Sequence, residues 1–228
     1  LTTLSTEAQQ SKYLDSLERY VLNDEGKDVH IMDAGGAAHP KHWACWLLAE
    51  GLLANKQYEK ALRFFRLSND TFYGRSSWCG NDMETQYTTL LVRYADCYVG
   101  MNQIDTALAL LMPYAIWSIQ PEPYRQAKLK EILLLKYNKD EIRMEMEHAV
   151  KTISVEVDGE ECWGYIRLFD YKVGLGMCRK EWAQKDYGID ISPTTEATRK
   201  ELMEVKLPAL FAEEWYKASD GYKLLTSL

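Results

Sequence analysis

Two histidines and a cysteine near the start of a long apolar segment have the side chains from which zinc sites are built. His39, His42 and Cys45 follow one another at intervals of three residues, and imidazole nitrogens and thiolates are ligands that Zn²⁺ prefers. Pro40 interrupts the first interval, however, and no fourth ligand lies nearby in the sequence. We therefore expect no metal site, and we interpret this segment as the start of a helix with exposed histidines.

Other residues of nucleophile or general-base type lack the neighbours that such chemistry needs. Cys79 lies in a segment rich in turn formers, where an exposed thiol is able to react, but no histidine near it in sequence would activate it. His148 follows Glu145 and Glu147 without the His-Glu-x-x-His spacing of a zinc protease. Because residues two positions apart diverge on a helix, we interpret these carboxylates as part of a solvated face.

The segment Gly174-Leu175-Gly176 does not form a nucleotide-binding motif. It lacks a third glycine, a preceding strand and a following Lys-Ser/Thr pair, so we interpret its glycines as positions of close helix packing. We expect no catalytic residue and no cofactor, and therefore no enzyme. An enzyme whose site is assembled from scattered residues is the alternative, since one sequence does not exclude it.

Four carboxylates are concentrated in one short segment, at Glu156, Asp158, Glu160 and Glu161. Such a cluster is typical of a solvated turn. It is also typical of an anionic patch that meets a basic partner surface, and such patches speed and orient association more than they add affinity. We name these four residues as candidate partner-binding residues.

An aromatic segment is the second candidate for partner binding. The stretch 69–80 is rich in turn formers and carries Phe72, Tyr73 and Trp78. One interpretation is that these rings pin a loop to the helices beside it. The other is a binding loop, because insertions in repeat proteins gather on one face of the molecule.

The composition disfavours two classes of protein, nucleic-acid binders and membrane-spanning proteins. The net charge of −7 and the pI of about 5.2 disfavour a nucleic-acid binder, which normally has a basic face. No run of 18 apolar residues is present, so we expect no membrane span. The five cysteines are odd in number and form no Cys-x-x-Cys pair, which favours a reducing, cytoplasmic location.

Two stretches, 49–65 and 95–111, repeat a pattern of an apolar helix, a short polar turn and a second apolar helix. Each copy has a small residue in both helices and a large apolar residue after the turn. The matched pairs are Ala49 with Ala95, Tyr58 with Ile104, Ala61 with Ala107, and Phe65 with Leu111. Repeated helical hairpins stack into solenoids, which usually bind other proteins.

This pattern resembles the tetratricopeptide repeat (TPR), a helix–turn–helix unit of about 34 residues. The copies depart from the family because they are 46 residues apart, from Ala61 to Ala107, and because the first lacks the proline expected near the end of a repeat. In the second copy that proline comes early, at Pro113, and a fainter third copy spans 127–150. The resemblance implies stacked antiparallel helix hairpins over roughly 43–150.

The complete fold prediction is an all-α protein, a TPR-like solenoid with a helical C-terminal cap. It forms a single domain over 1–228, made of an N-terminal helix and linker (1–40), TPR-like helix pairs (41–152) and a C-terminal helical part (153–228). Helices are expected at about 6–22, 41–55, 57–68, 83–100, 103–117, 123–137, 139–152, 165–185, 193–206 and 208–219. The dipeptide Asp158-Gly159 favours a small hairpin near 153–163, for which an acidic loop is the alternative.

A second resemblance concerns function. The segment GYIRLFDYKVGLGMCRKEWAQKDYGIDI and the later LPALF resemble the end of an all-helical family of immunity proteins from bacterial polymorphic toxin systems. In that family an apolar helix, a basic turn ending in glycine and a later Leu-Pro recur, and Gly188 and Leu207-Pro208 hold those places here. The resemblance implies a non-catalytic protein that binds and neutralises a toxin. From the net charge of −7 we expect that toxin domain to be cationic, and from the composition we expect no nucleic acid and no membrane as partners. A general TPR-type adaptor or scaffold is the alternative.

Overall fold

The computed structural model describes residues 7–23, 40–72, 80–116, 123–192 and 195–228. The chain is mostly helical and contains a small antiparallel sheet. It divides into two compact units, Leu1–Ala107 and Leu108–Leu228, and the division falls inside one helix. The prediction of a single domain stays a prediction.

The first unit is built from helices that pack in chain order, α1 on α2, α2 on α3 and α3 on α4. They are α1 (Glu7–Leu22), α2 (Pro40–Ala54), α3 (Tyr58–Asp70), α4 (Gly80–Gly100) and the start of α5 (Ile104–Leu111). Their shared core is apolar and includes Leu14, Cys45, Leu48, Phe64, Phe65 and Cys97. The expected end of α5 at residue 117 was wrong. Pro113, which has no N–H and clashes with the preceding turn, ends the α-helix at Leu111, and a 3₁₀ turn follows at Met112–Tyr114.

The turn between α2 and α3 is fixed by one residue in the left-handed conformation. Lys56 has φ of +59°, and its N–H donates to the carbonyl of Leu53 at 3.0 Å. The next N–H, of Gln57, reaches the carbonyl of Leu52 at 2.9 Å. These are the two hydrogen bonds of a Schellman motif, which ends a helix and reverses the chain.

The turn between α4 and α5 repeats this geometry. Asn102 also has φ of +59°, its N–H donates to Val99 at 2.9 Å, and the N–H of Gln103 reaches Tyr98 at 2.8 Å. Each of these residues lies 46 positions after its counterpart, the spacing of the two sequence copies. The sequence repeat is therefore also a repeat of backbone geometry at these turns.

Small residues permit close packing between the elements of the first unit. Ala61 and Ala107 are fully buried, as we expected from their places in the repeat. A methyl group added to Gly100 would lie 2.3 Å from the ring of Tyr58. The tyrosine that follows the first turn thus packs directly on the last residue of α4, which leaves no room for a side chain at that position.

The second unit combines helices with a three-stranded sheet of order β1-β2-β3. Its helices are α6 (Pro123–Lys136), α7 (Lys139–Ala149), α8 (Lys180–Tyr187), α9 (Glu196–Glu201), α10 (Leu207–Leu210) and α11 (Asp220–Thr226). Its strands are β1 (Ser154–Asp158), β2 (Glu161–Leu168) and β3 (Tyr171–Arg179). Within the described ranges, no helix is long and apolar enough to cross a bilayer.

The hairpin expected at Asp158-Gly159 is present. Asp158 pairs with Glu161, and Gly159, with φ of +58°, holds the first position of a two-residue turn. Glycine at that position is the requirement of a type II′ hairpin turn, whose twist matches that of the flanking strands.

The helix expected at 165–185 was wrong, because this stretch completes β2, forms β3 and becomes helical only in α8. Along β2 and β3 buried residues alternate with less buried ones, and the buried set includes Ile166, Leu168 and Val173. The glycines of 174–176 lie in β3, so their interpretation as helix-packing positions was also wrong. The predicted helix end at Gly188 is confirmed, with φ of +66° there.

The β2–β3 turn places two non-glycine residues at positive φ, Phe169 at +49° and Asp170 at +68°. This left-handed backbone costs a side-chain-bearing residue about 1–2 kcal/mol. Two contacts hold the turn in place. The ring of Phe169 stacks on that of Tyr137 with centroids 4.0 Å apart. The backbone N–H of Phe169 donates to Glu145 Oε1 at 2.8 Å.

The C-terminal helices are joined into one helical stretch over 196–217 rather than the two separate helices we expected. Thr195 caps its start through a hydrogen bond from the N–H of Thr198 at 3.2 Å. Wider π-helical turns occur at Leu202–Lys206 and Phe211–Lys217, on either side of Pro208. Because proline supplies no N–H and crowds the preceding turn, a wider turn beside it lets the helix continue.

This helical stretch packs against the sheet, and it approaches β2 closely at Gly164. A methyl group added to Gly164 in β2 would lie 2.4 Å from the ring of Phe211. The ladder between β2 and β3 shifts register between Gly164 and Tyr165, beside this contact. The backbone of β2 at Gly164 therefore packs directly on the ring of Phe211, with no side chain of β2 between them.

The helix-ending turns generate a first prediction. Replacing Lys56 with glycine should stabilise the protein by about 0.5–1 kcal/mol, because glycine adopts positive φ without steric cost. Replacing Asn102 with glycine should give a smaller gain, since asparagine tolerates the left-handed region better than lysine. Urea unfolding of both variants would check this order, and a loss of stability in Lys56→Gly would contradict the turn geometry.

The contact between sheet and helix generates a second prediction. Gly164→Ala should lower the free energy of unfolding by about 1–3 kcal/mol, because its methyl group overpacks against Phe211. Gly174→Ala in the neighbouring strand is the matched control. A methyl group there has only the carbonyl oxygen of Pro113 within 4 Å, at 3.8 Å. Equal unfolding temperatures for the two variants would show that β2 and the helix do not pack as described.

Candidate functional site

The four acidic candidate residues lie on the β1–β2 hairpin and just beyond its turn. Two of them form ion pairs with β3, where Lys172 Nζ lies 2.8 Å from Glu156 Oε1 and Arg179 Nε lies 3.8 Å from Glu161 Oε1. The hydrogen bond to Glu156 raises the pKa of Lys172. That ammonium group also lies 3.7 Å from the centroid of the Tyr165 ring, which adds a cation–π contact.

The other two carboxylates carry uncompensated charge. Asp158 and Glu160 are exposed at the turn, and neither forms an ion pair within the part of the chain that the structure describes. Since the paired carboxylates are largely neutralised by their partners, the negative field of the hairpin is concentrated at its tip. A basic surface that approached the protein here would meet Asp158 and Glu160 first.

The hairpin tip is joined to the start of α8. The backbone N–H of Lys180 donates to the carbonyl of Glu160 at 2.8 Å, which continues the ladder of β2 and β3 beyond Arg179. The guanidinium of Arg179 lies 5.7 Å from the ring of Trp182, and 46 % of Trp182 is exposed. An acidic tip, an arginine and an exposed tryptophan thus occupy one continuous piece of the second unit, which we call the hairpin–α8 surface (Asp158, Glu160, Glu161, Arg179 and Trp182).

Further aromatic residues lie on α8 and on the helical stretch beside it. Tyr187 is partly exposed, and its ring centroid lies 5.9 Å from that of Trp215. Trp215 in turn contacts Phe211 at 5.0 Å, which is the residue that packs on the sheet. The aromatic side chains are therefore anchored to the same close contact that positions β2.

The aromatic segment at 69–80 is described only in part. Tyr73 and Trp78 lie outside the described residues. Phe72 is partly buried against the core of the first unit, and Lys41 Nζ lies 5.8 Å from its ring. Phe72 therefore fits the interpretation in which these rings pin the segment to the helices. It belongs to the first unit, and the acidic residues belong to the second.

The histidine and cysteine segment does not have the exposure that we expected. His42 is 8 % exposed, and its Nδ1 lies 2.8 Å from the hydroxyl oxygen of the fully buried Ser68. Three residues on, Cys45 lies on the same buried face of α2, where burial raises the pKa of its thiol to about 12. His39 lies outside the described residues. Among the residues that are described, no group of three or more His, Cys, Asp or Glu side chains is placed to hold a metal ion.

The remaining described thiols are also buried. Burial raises the pKa of Cys97 to about 12 and that of Cys162 to about 11, and it raises the pKa of Cys178 as well. Thiols in such surroundings are poor nucleophiles, because the thiolate is the reactive form. Cys79, the one cysteine that the sequence places in a loop, lies outside the described residues.

The first unit contains a polar groove of about 390 Å³ between α1 and the α2–α3 turn. Side chains with amide, hydroxyl or charged groups line most of it, namely Gln10, Ser11, Asp15, Glu18, Asn55, Gln57 and Lys60, with Leu14 and Leu52 at its base. Lys60 and Glu18 close one side through an ion pair of 2.5 Å. The groove offers hydrogen-bonding groups, but it holds no pair of nucleophile and base.

No protein-family model, curated protein or solved structure matches this chain.

Proposed function

We propose that this protein acts by binding a protein partner through the hairpin–α8 surface, and that the partner is a cationic toxin domain which it neutralises as an immunity protein. The observation that carries the proposal is the junction of uncompensated carboxylates with an exposed tryptophan. Asp158 and Glu160 carry the charge, and Trp182 follows Lys180, whose N–H bonds to Glu160, with Arg179 near its ring. Tryptophan and arginine are over-represented among the residues that dominate interface energies.

The two parts of this surface would serve different steps of binding. The carboxylates at the tip attract a basic partner over distances of about 10 Å at ordinary salt and so increase the association rate. Trp182 has an apolar ring to bury once the partner has docked, and burial of that ring slows dissociation. The hydrogen bond between Lys180 and Glu160 keeps the two parts in a fixed arrangement, so that docking costs little conformational entropy.

The first unit supports the proposal as a scaffold. We infer a TPR-like stacking of α2–α3 with α4–α5 from the two equal turns at Lys56 and Asn102 and from the contact of Tyr58 with Gly100. Stacked helical hairpins generally present extended surfaces for protein recognition. The inferred function is therefore recognition of a partner through a surface, without a catalytic step.

A general adaptor is the second candidate, and the polar groove of the first unit favours it. Amide and hydroxyl side chains at Gln10, Ser11, Asn55 and Gln57 are suited to hydrogen bonding the backbone of an extended peptide. The two candidates differ in the unit that contacts the partner, so variants of the hairpin–α8 surface separate them.

A third prediction follows for the protein in its genetic setting. Co-expression with the product of each adjacent gene should give a complex that survives affinity purification, and one such product should be toxic when expressed alone. Expression of this protein should restore growth. Failure of every adjacent product to bind, together with no rescue of growth, would remove the immunity function and leave the adaptor.

A fourth prediction assigns the binding steps within that complex. Glu160→Lys should slow association and weaken its dependence on salt, whereas Trp182→Ala should increase the dissociation rate about tenfold for each 1.4 kcal/mol lost. Surface plasmon resonance at several salt concentrations measures both rates.

Each of these variants has a matched control. Glu147→Lys makes the same charge change at an exposed residue of α7 without an ion pair among the described residues, and Trp43→Ala removes a tryptophan that is 59 % exposed in the first unit. A partner that responded equally to test and control variants would not bind at the hairpin–α8 surface. Loss of binding in Gln57→Ala alone would instead indicate the groove.

A further inference from the structure

Two buried thiols face each other across strands β2 and β3. Cys162 and Cys178 are directly opposite in the register of the antiparallel ladder, both are fully buried, and both are free. Residues opposite each other on antiparallel strands point to the same face, with Cβ atoms about 4.5–5.5 Å apart. The negative charge of Cys178 also raises the pKa of Cys162, which is expected of close neighbours.

The hydrogen-bond pattern of the ladder sets the distance between the two backbones. The N–H of Lys180 donates to the carbonyl of Glu160, so these two residues form a hydrogen-bonded pair. Such pairs alternate along an antiparallel ladder, and Cys162 with Cys178 is therefore the next hydrogen-bonded pair, with Cα atoms about 5.5 Å apart. Disulfides join Cα atoms that are usually about 5.5–6 Å apart. The Cα spacing therefore already suits a disulfide, whereas the two Cβ atoms must approach by about 1 Å to reach the roughly 3.5–4.5 Å that a disulfide requires.

We propose that Cys162 and Cys178 form a thiol–disulfide site, which a low-molecular-weight disulfide such as glutathione disulfide oxidises to a cross-strand disulfide. The site does not rest on the proposed function, although it lies next to the pair Glu161 and Arg179 of the hairpin–α8 surface. Neither cysteine belongs to a Cys-x-x-Cys motif. The pairing is therefore created only by the register of the sheet.

The exchange takes place in two steps. The Cys178 thiolate attacks one sulfur of glutathione disulfide, whose S–S bond breaks as a protein–glutathione bond forms and one glutathione thiolate leaves. The Cys162 thiolate then attacks the sulfur of Cys178, which breaks the mixed disulfide and releases the second glutathione. The two thiol protons end on the two glutathione molecules, so the protein is oxidised by two electrons and glutathione disulfide is reduced by two.

Cys178 is the first nucleophile because of its position beside α8. The backbone N–H of Ala183 hydrogen-bonds its sulfur and lowers the pKa of the thiol, against the larger effect of burial. No such bond acts on Cys162. Since neither sulfur is exposed, glutathione disulfide reaches the site only when the end of the β2–β3 ladder opens. Oxidation should therefore be slow in buffer and faster in urea concentrations below those that unfold the protein.

The disulfide would close the chain from Cys162 to Cys178, a loop that contains the β2–β3 turn. A cross-link of that span restricts the unfolded chain and so favours the folded state. The oxidised protein should unfold at a temperature higher by roughly 6–12 °C. Reduction with dithiothreitol should return the unfolding temperature to its starting value.

The test uses the full chain with Cys79→Ser, which leaves the four buried thiols. The protein is equilibrated in glutathione buffers of rising oxidised fraction, quenched with acid, alkylated in denaturant, digested and mapped by mass spectrometry. We expect a peptide cross-linked through Cys162 and Cys178, a loss of two alkylated thiols per chain, and unchanged alkylation of Cys45 and Cys97. Either Cys162→Ser or Cys178→Ser should abolish both the cross-link and the rise in unfolding temperature.

Three outcomes would overturn the proposal. These are full alkylation of Cys162 and Cys178 after equilibration in the most oxidising buffer, glutathione adducts on either cysteine without a cross-link, and a cross-link that joins other cysteines. The peptide map of the protein with both thiols present decides among these outcomes even if a serine variant does not fold.

Discussion

The second unit depends on the close approach of the Phe211 ring to the backbone of β2 at Gly164. Only glycine leaves room there, because a methyl group would stand 2.4 Å from the ring. The contact fixes the sheet against the helical stretch of 196–217, and Phe211 also supports Trp215 and, through it, Tyr187. Phe211 is the first residue of the π-helical turn that follows Pro208. The contact between Phe211 and Gly164 holds β2 in place, and β2 carries the acidic hairpin tip. The position of the tip therefore depends on this contact.

The helices of the first unit were predictable from sequence, and the last strand of the second was not. Helix–turn–helix boundaries followed from small and large residues at matched places, and the same left-handed turns at Lys56 and Asn102 confirm the local repeat. In β3 the pattern misled us, because Leu168 and Leu175 are seven residues apart and fit two helical turns as well as a pair of strands. The turn between the strands, Phe169-Asp170, has none of the glycine or asparagine that marks a two-residue hairpin. The sequence near the turn therefore does not indicate a chain reversal, and contacts with Tyr137 and Glu145 stabilise the turn instead.

The candidate site was predictable only in its acidic half. Asp158-Gly159 indicated a turn, and a turn exposes its neighbouring carboxylates to solvent. Trp182 belonged to the helix that we expected at 165–185, but α8 starts only at Lys180, and 46 % of Trp182 is exposed. Arg179 was missed for the same reason, because its partners become neighbours only after β3 pairs with β2. His42 shows the reverse error, since one polar partner at Ser68 was enough to bury a side chain that looked solvated.

Because Phe169 has a left-handed conformation, a fragment that contains only the three strands would not keep the β2–β3 turn. The ring stack with Tyr137 and the hydrogen bond to Glu145 both come from the α6–α7 region, outside the strands themselves. A synthetic peptide spanning the three strands would lack both contacts, and its β2–β3 turn would relax toward cheaper backbone angles. Such a peptide would keep the carboxylates of the tip, would lose the register between β2 and β3, and would lack Trp182, which lies on α8. The smallest fragment able to imitate this surface therefore begins at α6. A short hairpin would not suffice, because the left-handed turn at Phe169 needs its contacts with Tyr137 and Glu145.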